Sequence, residues 1–350
     1  MIPEFYEGWA AAPKILILIA FMAVGVVFLV NFCDLFVGSA SAIAKKLHIA
    51  PMIIGLTVVA MGTSLPELAV SVSDSIGCLI DGGNANVAIG NVVGSNLGNI
   101  LLVLGLSIIF TPIIIKKSTL YKEFPILIGV SLLLFLFVII YGGVTGNYVV
   151  TRWMGIIFIV LIISYIVFLV LDAKRHPTED NQEEIKDMKV WKAILFVVLG
   201  AAGIAAGGEF VVFGAKGLAV TGATAMGINH DLAESLVGLT IVAVGTSLPE
   251  LVTSVVAAKK GENDIALGNV IGSNIFNILF VLGISATVNP LTTGNEIVID
   301  LVVMMTVTLL LFGFALTKKL NKKMGIIFLA IYVLYLTYLI LRTVGVFPQF

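Results

Sequence analysis

Apolar residues in this chain come in long, nearly unbroken runs, and polar residues are gathered between them. The runs lie near 14–43, 51–78, 85–110, 123–141, 153–171, 190–218, 233–258, 264–288, 296–316 and 324–342, separated by Gly, Pro and clusters of charge. A helix needs roughly 20 apolar residues to cross a hydrocarbon core, so the pattern predicts ten transmembrane helices. Composition agrees. The 350 residues are 59% hydrophobic and 12% charged, with a mean hydropathy of +1.12, whereas soluble domains carry about 25% charged residues. A soluble enzyme or binding domain is excluded. The first run is too long for the apolar part of a signal peptide. Its continuation from Asp34 to Ala44 also has a counterpart from Glu209 to Ala219, which makes it a mature part of the fold.

The charges orient the spans. Sixteen of the twenty basic residues fall in loops after odd-numbered spans, leaving Lys14, Arg152, Lys216 and Arg342 for the opposite face. Basic residues mark the cytoplasmic side, so both termini are expected outside. The chain also repeats itself: position 43 matches 218, 67 matches 250 and 99 matches 277. Five spans per repeat is an odd number, so the second copy would start from the opposite side of the membrane. The expected fold is thus an all-α polytopic membrane protein whose ten transmembrane helices form two inverted-topology repeats of five, the architecture of alternating-access carriers. Residues 1–171 form the first repeat, 172–189 a cytoplasmic linker and 190–350 the second repeat.

The second and seventh runs are interrupted by chemistry that lipid does not tolerate. Ala60-Met-Gly-Thr-Ser-Leu-Pro-Glu67 recurs as Ala243-Val-Gly-Thr-Ser-Leu-Pro-Glu250. An ionisable group at the helix centre costs roughly 2.5–3.5 kcal/mol on insertion scales and marks a functional site. Pro66 lacks an N–H and clashes with the carbonyl four residues back, so the helix must kink, and carbonyls near Ala60 to Thr63 lose their partners. A bound cation would be a partner for them. Thr63 stands one turn before Glu67, and Thr246 repeats that arrangement before Glu250. One copy could be a proline kink beside a protonated acid; two matched copies point to a transported cation.

The third and eighth runs carry Gly90-Asn91-Val-Val-Gly94-Ser95-Asn96-Leu-Gly-Asn99 and Gly268-Asn269-Val-Ile-Gly272-Ser273-Asn274-Ile-Phe-Asn277. The glycines at GxxxG spacing are expected to serve close helix packing. Ser95, Asn99, Ser273 and Asn277, near the helix centres, are candidate ligands. Asn91, Asn96, Asn269 and Asn274 read as packing or supporting groups. Two carboxylates with hydroxyl, amide and carbonyl oxygens form a hard donor set that suits Ca²⁺ better than octahedral Mg²⁺, and with no Cys/His cluster in the spans soft metals are unlikely partners by chemistry. Cys33 and Cys78 lack metal-ligand neighbours, and His48, His176 and His230 fall in or near loops. Asp34, Glu209 and Asp74 lie in or near the bilayer, where each reads as a helix-end acid or a part of the ion access path. The acidic run of the linker, Glu179-Asp180 with Glu183-Glu184, reads as part of a cytoplasmic connection, with a regulatory Ca²⁺ site as the alternative.

The doubled GTSLPE segment, each followed by GN-x-x-GS-x-x-x-N, resembles the α-repeats of the calcium/cation antiporter superfamily, and most of all its prokaryotic sodium/calcium exchanger branch. The likeness covers both halves almost end to end. It implies a Ca²⁺ site from Glu67 and Glu250 with oxygens of Thr63 and Thr246. It also implies Na⁺ sites completed by Ser64, Ser247, Ser95 and Ser273 with the carbonyls of Ala60 and Ala243, and central amides at Asn99 and Asn277. Relatives resembling the potassium-dependent branch carry Asp at the position of Asn277, so the asparagine here argues against a potassium requirement. The proton/calcium branch has a GN-x-x-E pattern in place of GTSLPE, which weakens that reading too. Asp74 departs from the small residue usual in the family. The expected function is exchange of Na⁺ for Ca²⁺ across a cell membrane. The alternatives are an H⁺/Ca²⁺ or a K⁺-dependent Na⁺/Ca²⁺ exchanger of the same fold, a cation channel, and an intramembrane hydrolase using paired acids. Nothing in the residues points to a catalytic group, a cofactor other than the transported ions, nucleic acid or an obligate protein partner besides the lipid bilayer.

Overall fold

The structure, a computed structural model, describes residues 11–81, 87–175, 189–225 and 243–343. In chain order these form α1 (Ala11–Lys46), α2 (Pro51–Thr63) and α3 (Leu65–Asp81), α4 (Val87–Phe110), β1 (Ile113–Ile114) and α5 (Lys117–Thr145). There follow β2 (Tyr148–Val150), α6 (Arg152–Arg175), α7 (Val190–Ala225), α8 (Ala243–Thr246) and α9 (Leu248–Lys259). The chain closes with α10 (Asn263–Val288), β3 (Leu291–Thr293), α11 (Ile297–Ala315), β4 (Lys319–Leu320) and α12 (Lys322–Thr343).

The protein is all-helical apart from two short antiparallel pairs, β1 with β4 and β2 with β3. Among the described residues eight helices are long and apolar enough to cross a membrane, and a ninth span is reached if α2 and α3, bent by 48°, are taken as one. The expected seventh span, 233–258, is seen only from Ala243 onward, because residues 226–242 lie outside the described residues, as do His176, His230 and the acidic linker run.

Helices α4 and α10 hold the centre. Every side chain from Ile265 to Leu279 is buried, as expected for a helix that is apolar all round save for one polar stripe. α5, α6, α11 and α12 wrap this pair and present Ile140, Val160, Ile163, Val302 and Leu334 outward. Long α1 and α7 lie against each other, with glycines letting their backbones approach: a Cβ at Gly25 would stand 2.7 Å from the carbonyl of Gly207. Phe21 packs edge-on against Phe210 and Phe213, with centroids 5.6 and 5.0 Å apart.

Among the described residues, close packing at the GxxxG glycines is seen at Gly268 and Gly272. A Cβ at Gly268 would meet the Met52 carbonyl at 2.8 Å, and one at Gly272 would meet the Leu56 carbonyl at 2.7 Å. These glycines let α10 seat directly on α2. At Gly90 and Gly94 no described atom comes within 4 Å of an added Cβ. Most of the stretch that repeats α2, 234–246 at the motif offset of 183, lies outside the described residues.

Candidate ion-binding site

Each GTSLPE segment breaks its helix at the serine. Ser64 stands at φ −84°, ψ 7° between α2 and α3, and Ser247 at φ −85°, ψ 0° between α8 and α9. The proline in the next turn cannot donate backward, so both breaks follow from the same residues. Each break brings a glutamate into the first turn of the following helix. Glu67 and Glu250 are both fully buried.

Neither carboxylate has a basic side chain as partner among its hydrogen bonds. The Ser95 hydroxyl donates to Glu67 Oε1 at 3.1 Å, and the Ser64 hydroxyl donates to Glu250 Oε1 at 3.1 Å. Thus Glu250 of the second half is held by a serine of the first, and the two motifs build one site. Thr63 Oγ1 lies 3.2 Å from the Ala60 carbonyl, 3.1 Å from Asn269 Oδ1 and 3.4 Å from Ser273 Oγ. Ser273 Oγ in turn lies 3.5 Å from the Ala60 carbonyl. Across the centre, Asn277 Nδ2 donates to Ser95 Oγ at 3.2 Å and to Asn96 Oδ1 at 3.1 Å, while Asn99 Nδ2 donates to Asn274 Oδ1 at 3.2 Å.

What remains unpartnered decides the chemistry. Glu67 Oε2, Glu250 Oε2, Asn99 Oδ1, Asn277 Oδ1 and Ser247 Oγ are buried without a hydrogen-bond partner. Buried polar atoms are nearly always satisfied, and leaving one unmet costs about 1–3 kcal/mol, more where charge is involved. Four of the five can only accept, against an orphaned donor in the same cluster, Asn274 Nδ2, and they come from both halves. Such an excess of acceptors calls for cations, which all five oxygens could coordinate. No group of three or more His, Cys, Asp or Glu is placed to hold a metal among the described residues, so the described residues make an oxygen site with two charges. Both asparagines also open a π-helical turn, at Asn99–Leu104 and Asn277–Val281, a local irregularity common at functional sites.

Of the remaining expected ligands, Thr246 is half-buried, and Ala243 opens α8, which presents its carbonyl within a helical turn. The serine partners of Asn91 and Asn269 went unread in the sequence. Asn91 Nδ2 donates to the Glu67 carbonyl at 3.3 Å and to Ser71 Oγ at 3.0 Å. Asn269 Nδ2 does the same to the Glu250 carbonyl at 3.4 Å and Ser254 Oγ at 2.9 Å. Ser71 and Ser254 each follow their glutamate by four residues, a spacing that could have revealed them.

A family profile described as sodium/calcium exchanger protein matches residues 17–171 and 192–341, which is most of the chain and includes every residue of the site. The chain belongs to the sodium/calcium exchanger family. A relative from Alkalimonas amylolytica named as an antiporter, CaxA, is 39% identical over 90% of this chain and 96% of its own length. The sodium/calcium exchanger MaX1 of Methanosarcina acetivorans is 32% identical over 91% of this chain and 97% of its own. A solved structure of the sodium-calcium exchanger NCX_Mj, soaked with Na⁺ and Ca²⁺, shares the fold with a TM-score of 0.72 and 33% identity, covering 92% of this chain and 98% of that one. The exchanger-family fold and the acceptor-rich site therefore occur together in this protein, a transporter of the membrane and not an enzyme.

Proposed function

We propose that this exchanger moves Ca²⁺ against Na⁺ through one buried site between two inverted five-helix repeats, residues 1–171 and 190–350, joined by a cytoplasmic linker over 172–189. Ten spans place both termini outside the cell membrane. Ca²⁺ is held by Glu67 and Glu250 with oxygens of Thr63 and Thr246. Na⁺ takes the same carboxylates together with Ser64, Ser247, Ser95, Ser273 and the carbonyls of Ala60 and Ala243, and Asn99 and Asn277 present their side-chain carbonyls at the centre. Long α1 and α7 move against the central helices to open the site to one side at a time. The observation that carries this reading is the set of orphaned buried acceptors drawn from both halves.

Each part of the chain has a task in that cycle. The helix breaks at Ser64 and Ser247 deliver the carboxylates to the bilayer centre. Asn91 and Asn269 hold the backbone at each glutamate against the neighbouring helix. The hydroxyls rotate to donate to a carboxylate when no ion is there and to turn a lone pair toward an ion when one is. Ca²⁺ accepts 6–8 oxygens in flexible geometry, which a set of rotating hydroxyls and amides can supply. The test is competition in solution. Ca²⁺ should raise the melting temperature of the purified protein, and Na⁺ should shift the Ca²⁺ midpoint in proportion to its own occupancy. Ca²⁺ stabilisation that ignores Na⁺ would separate the two sites and end the single-site reading.

Two carboxylates balance one Ca²⁺ or two Na⁺. If the neutral oxygens hold a third Na⁺, each cycle carries net charge, and voltage contributes about 2.3 kcal/mol per charge per 100 mV. Transport in liposomes clamped at opposite potentials should then differ several-fold; equal rates would show that no third Na⁺ moves.

Asn277 bears on the third cation as well. Asn277→Asp would add a carboxylate beside two others, and repulsion at an effective dielectric near 20 is about 4 kcal/mol at 4 Å. The new acid must bind a proton or a further monovalent cation, so exchange by the variant is expected to become sensitive to K⁺ or to pH while the parent runs without K⁺. An Asp variant with unaltered cation and pH dependence would place Asn277 outside the ion shell.

A further inference from the structure

Helices α1 and α7 cover the two halves of the site unequally. The motif offset of 183, from Glu67 to Glu250, equates Val70 with Thr253 and Gly77 with Lys260. Thr253 is fully buried, whereas Val70 is 37% exposed. On the Thr253 side α1 closes the gap. Cys33, Val37 and Ala40 of α1 share a buried apolar cluster with Ala257, Ala258 and Ile265, and Cys33 Sγ lies 3.6 Å from Thr253 Oγ1. At the rim of this seal Lys260, just past the end of α9, reaches back to α1. Its Nζ stands 2.9 Å from Asp34 Oδ1 and 3.2 Å from the Asp34 carbonyl.

We propose that the Asp34–Lys260 pair is a one-sided latch, two positioning residues that hold α1 over the cytoplasmic path to the site and bias the resting exchanger to face outward. The sequence makes the latch one-sided. Asp34 has its repeat counterpart in Glu209, but Lys260 has Gly77 as its own, so α7 finds no matching lysine on the other face. The pair is partly exposed, with Lys260 at 39% and Asp34 at 55%, so it can open and re-form as α1 moves. An exposed pair contributes modestly, yet in a two-state carrier a small bias changes populations directly. The inference rests on the proposed movement of α1 and α7, and it concerns which side is open, not which ion is carried.

The chain has two cysteines, and Cys33 lies within the seal, so it reports the latch without any transported ion. In a Cys78→Ser background, Cys33 is labelled with a membrane-impermeant maleimide in right-side-out and inside-out vesicles. Lys260→Gln and Asp34→Asn are each expected to raise the labelling rate from the cytoplasmic face about two- to five-fold, the range an exposed ion pair can supply. The exchanged pair Asp34→Lys with Lys260→Asp should bring the rate back toward the parent value. A purely structural role would lower the melting temperature and leave the sidedness of labelling alone. Unchanged labelling in both single variants, or a gain from the external face, would overturn the latch. Since the readout needs no Na⁺ or Ca²⁺, a failure of the exchange reading would appear separately, in ion competition.

Discussion

Replacing Glu67 or Glu250 by Gln is expected to abolish Ca²⁺ uptake while the protein remains folded in the membrane. Gln keeps the size of the side chain and an oxygen to accept the hydroxyl that now donates to it, from Ser95 or from Ser64. It removes one of only two negative charges in the site. A unit charge pair at 4 Å and an effective dielectric near 20 is worth about 4 kcal/mol, which is on the order of a thousandfold in affinity. The amide also brings an N–H₂ group to a position where Oε2 now stands as an open acceptor, so an ion would meet a donor there. Folding should survive, because replacing a buried unpaired acid by a neutral group removes a desolvation cost. Protons bind the same oxygens and cancel the same charge, so acidification from about pH 8 to about pH 5.5 is expected to slow the parent protein. Labelled Ca²⁺ uptake, measured beside the melting temperature of each variant, checks both statements. Uptake within twofold of the parent in either variant would remove that carboxylate from the site.

The second large effect is expected at Gly272. A Cβ there would lie 2.7 Å from the Leu56 carbonyl oxygen and 2.7 Å from the Ala60 Cβ. Neither can yield without moving the backbone of α2. Overpacking costs typically 1–3 kcal/mol, and Val adds two further methyl groups at the same place. Because Asn269 and Ser273 touch Thr63 from the same stretch of α10, separating α10 from α2 also pulls the site apart. Gly272→Val is expected to lower the melting temperature and to lose stabilisation by Ca²⁺. A Gly272→Val variant that keeps the parent's melting temperature and its stabilisation by Ca²⁺ would show that α10 does not seat on α2 as closely as described.

Much of this was legible because a lipid environment makes polar residues conspicuous. The apolar runs foretold an all-helical membrane protein, Pro66 and Pro249 foretold the breaks at Ser64 and Ser247, and the duplicated glutamates, serines and asparagines were conspicuous before any geometry was known. Other features depend on contacts that periodicity cannot carry. That Ser64 serves Glu250, and not the glutamate of its own motif, follows from how the halves interlock. That Asn96 and Asn274 tie α4 to α10 was hidden because the same residues read equally well as packing. The π-helical turns at Asn99 and Asn277 leave no sequence signal at all. That Gly268 and Gly272 seat α10 on α2 was only a possibility in the spacing, since the neighbouring helix is what makes a close approach real.

Alternation of access gives the asymmetry of cover a physical meaning. A carrier with one site must close one path before it opens the other, and sequence-related halves that are covered differently are what such a state requires. Thr253 buried and Val70 exposed fit one end of the proposed cycle; the other end should reverse them.

The most direct test of Na⁺/Ca²⁺ exchange is labelled Ca²⁺ uptake into proteoliposomes with the Na⁺, K⁺ and proton gradients imposed singly. An outward Na⁺ gradient alone, with K⁺ absent and pH equal on both sides, should drive Ca²⁺ inward above equilibrium, and K⁺ or proton gradients alone should not. Uptake driven by a pH gradient without Na⁺, or uptake that requires K⁺, would contradict the account.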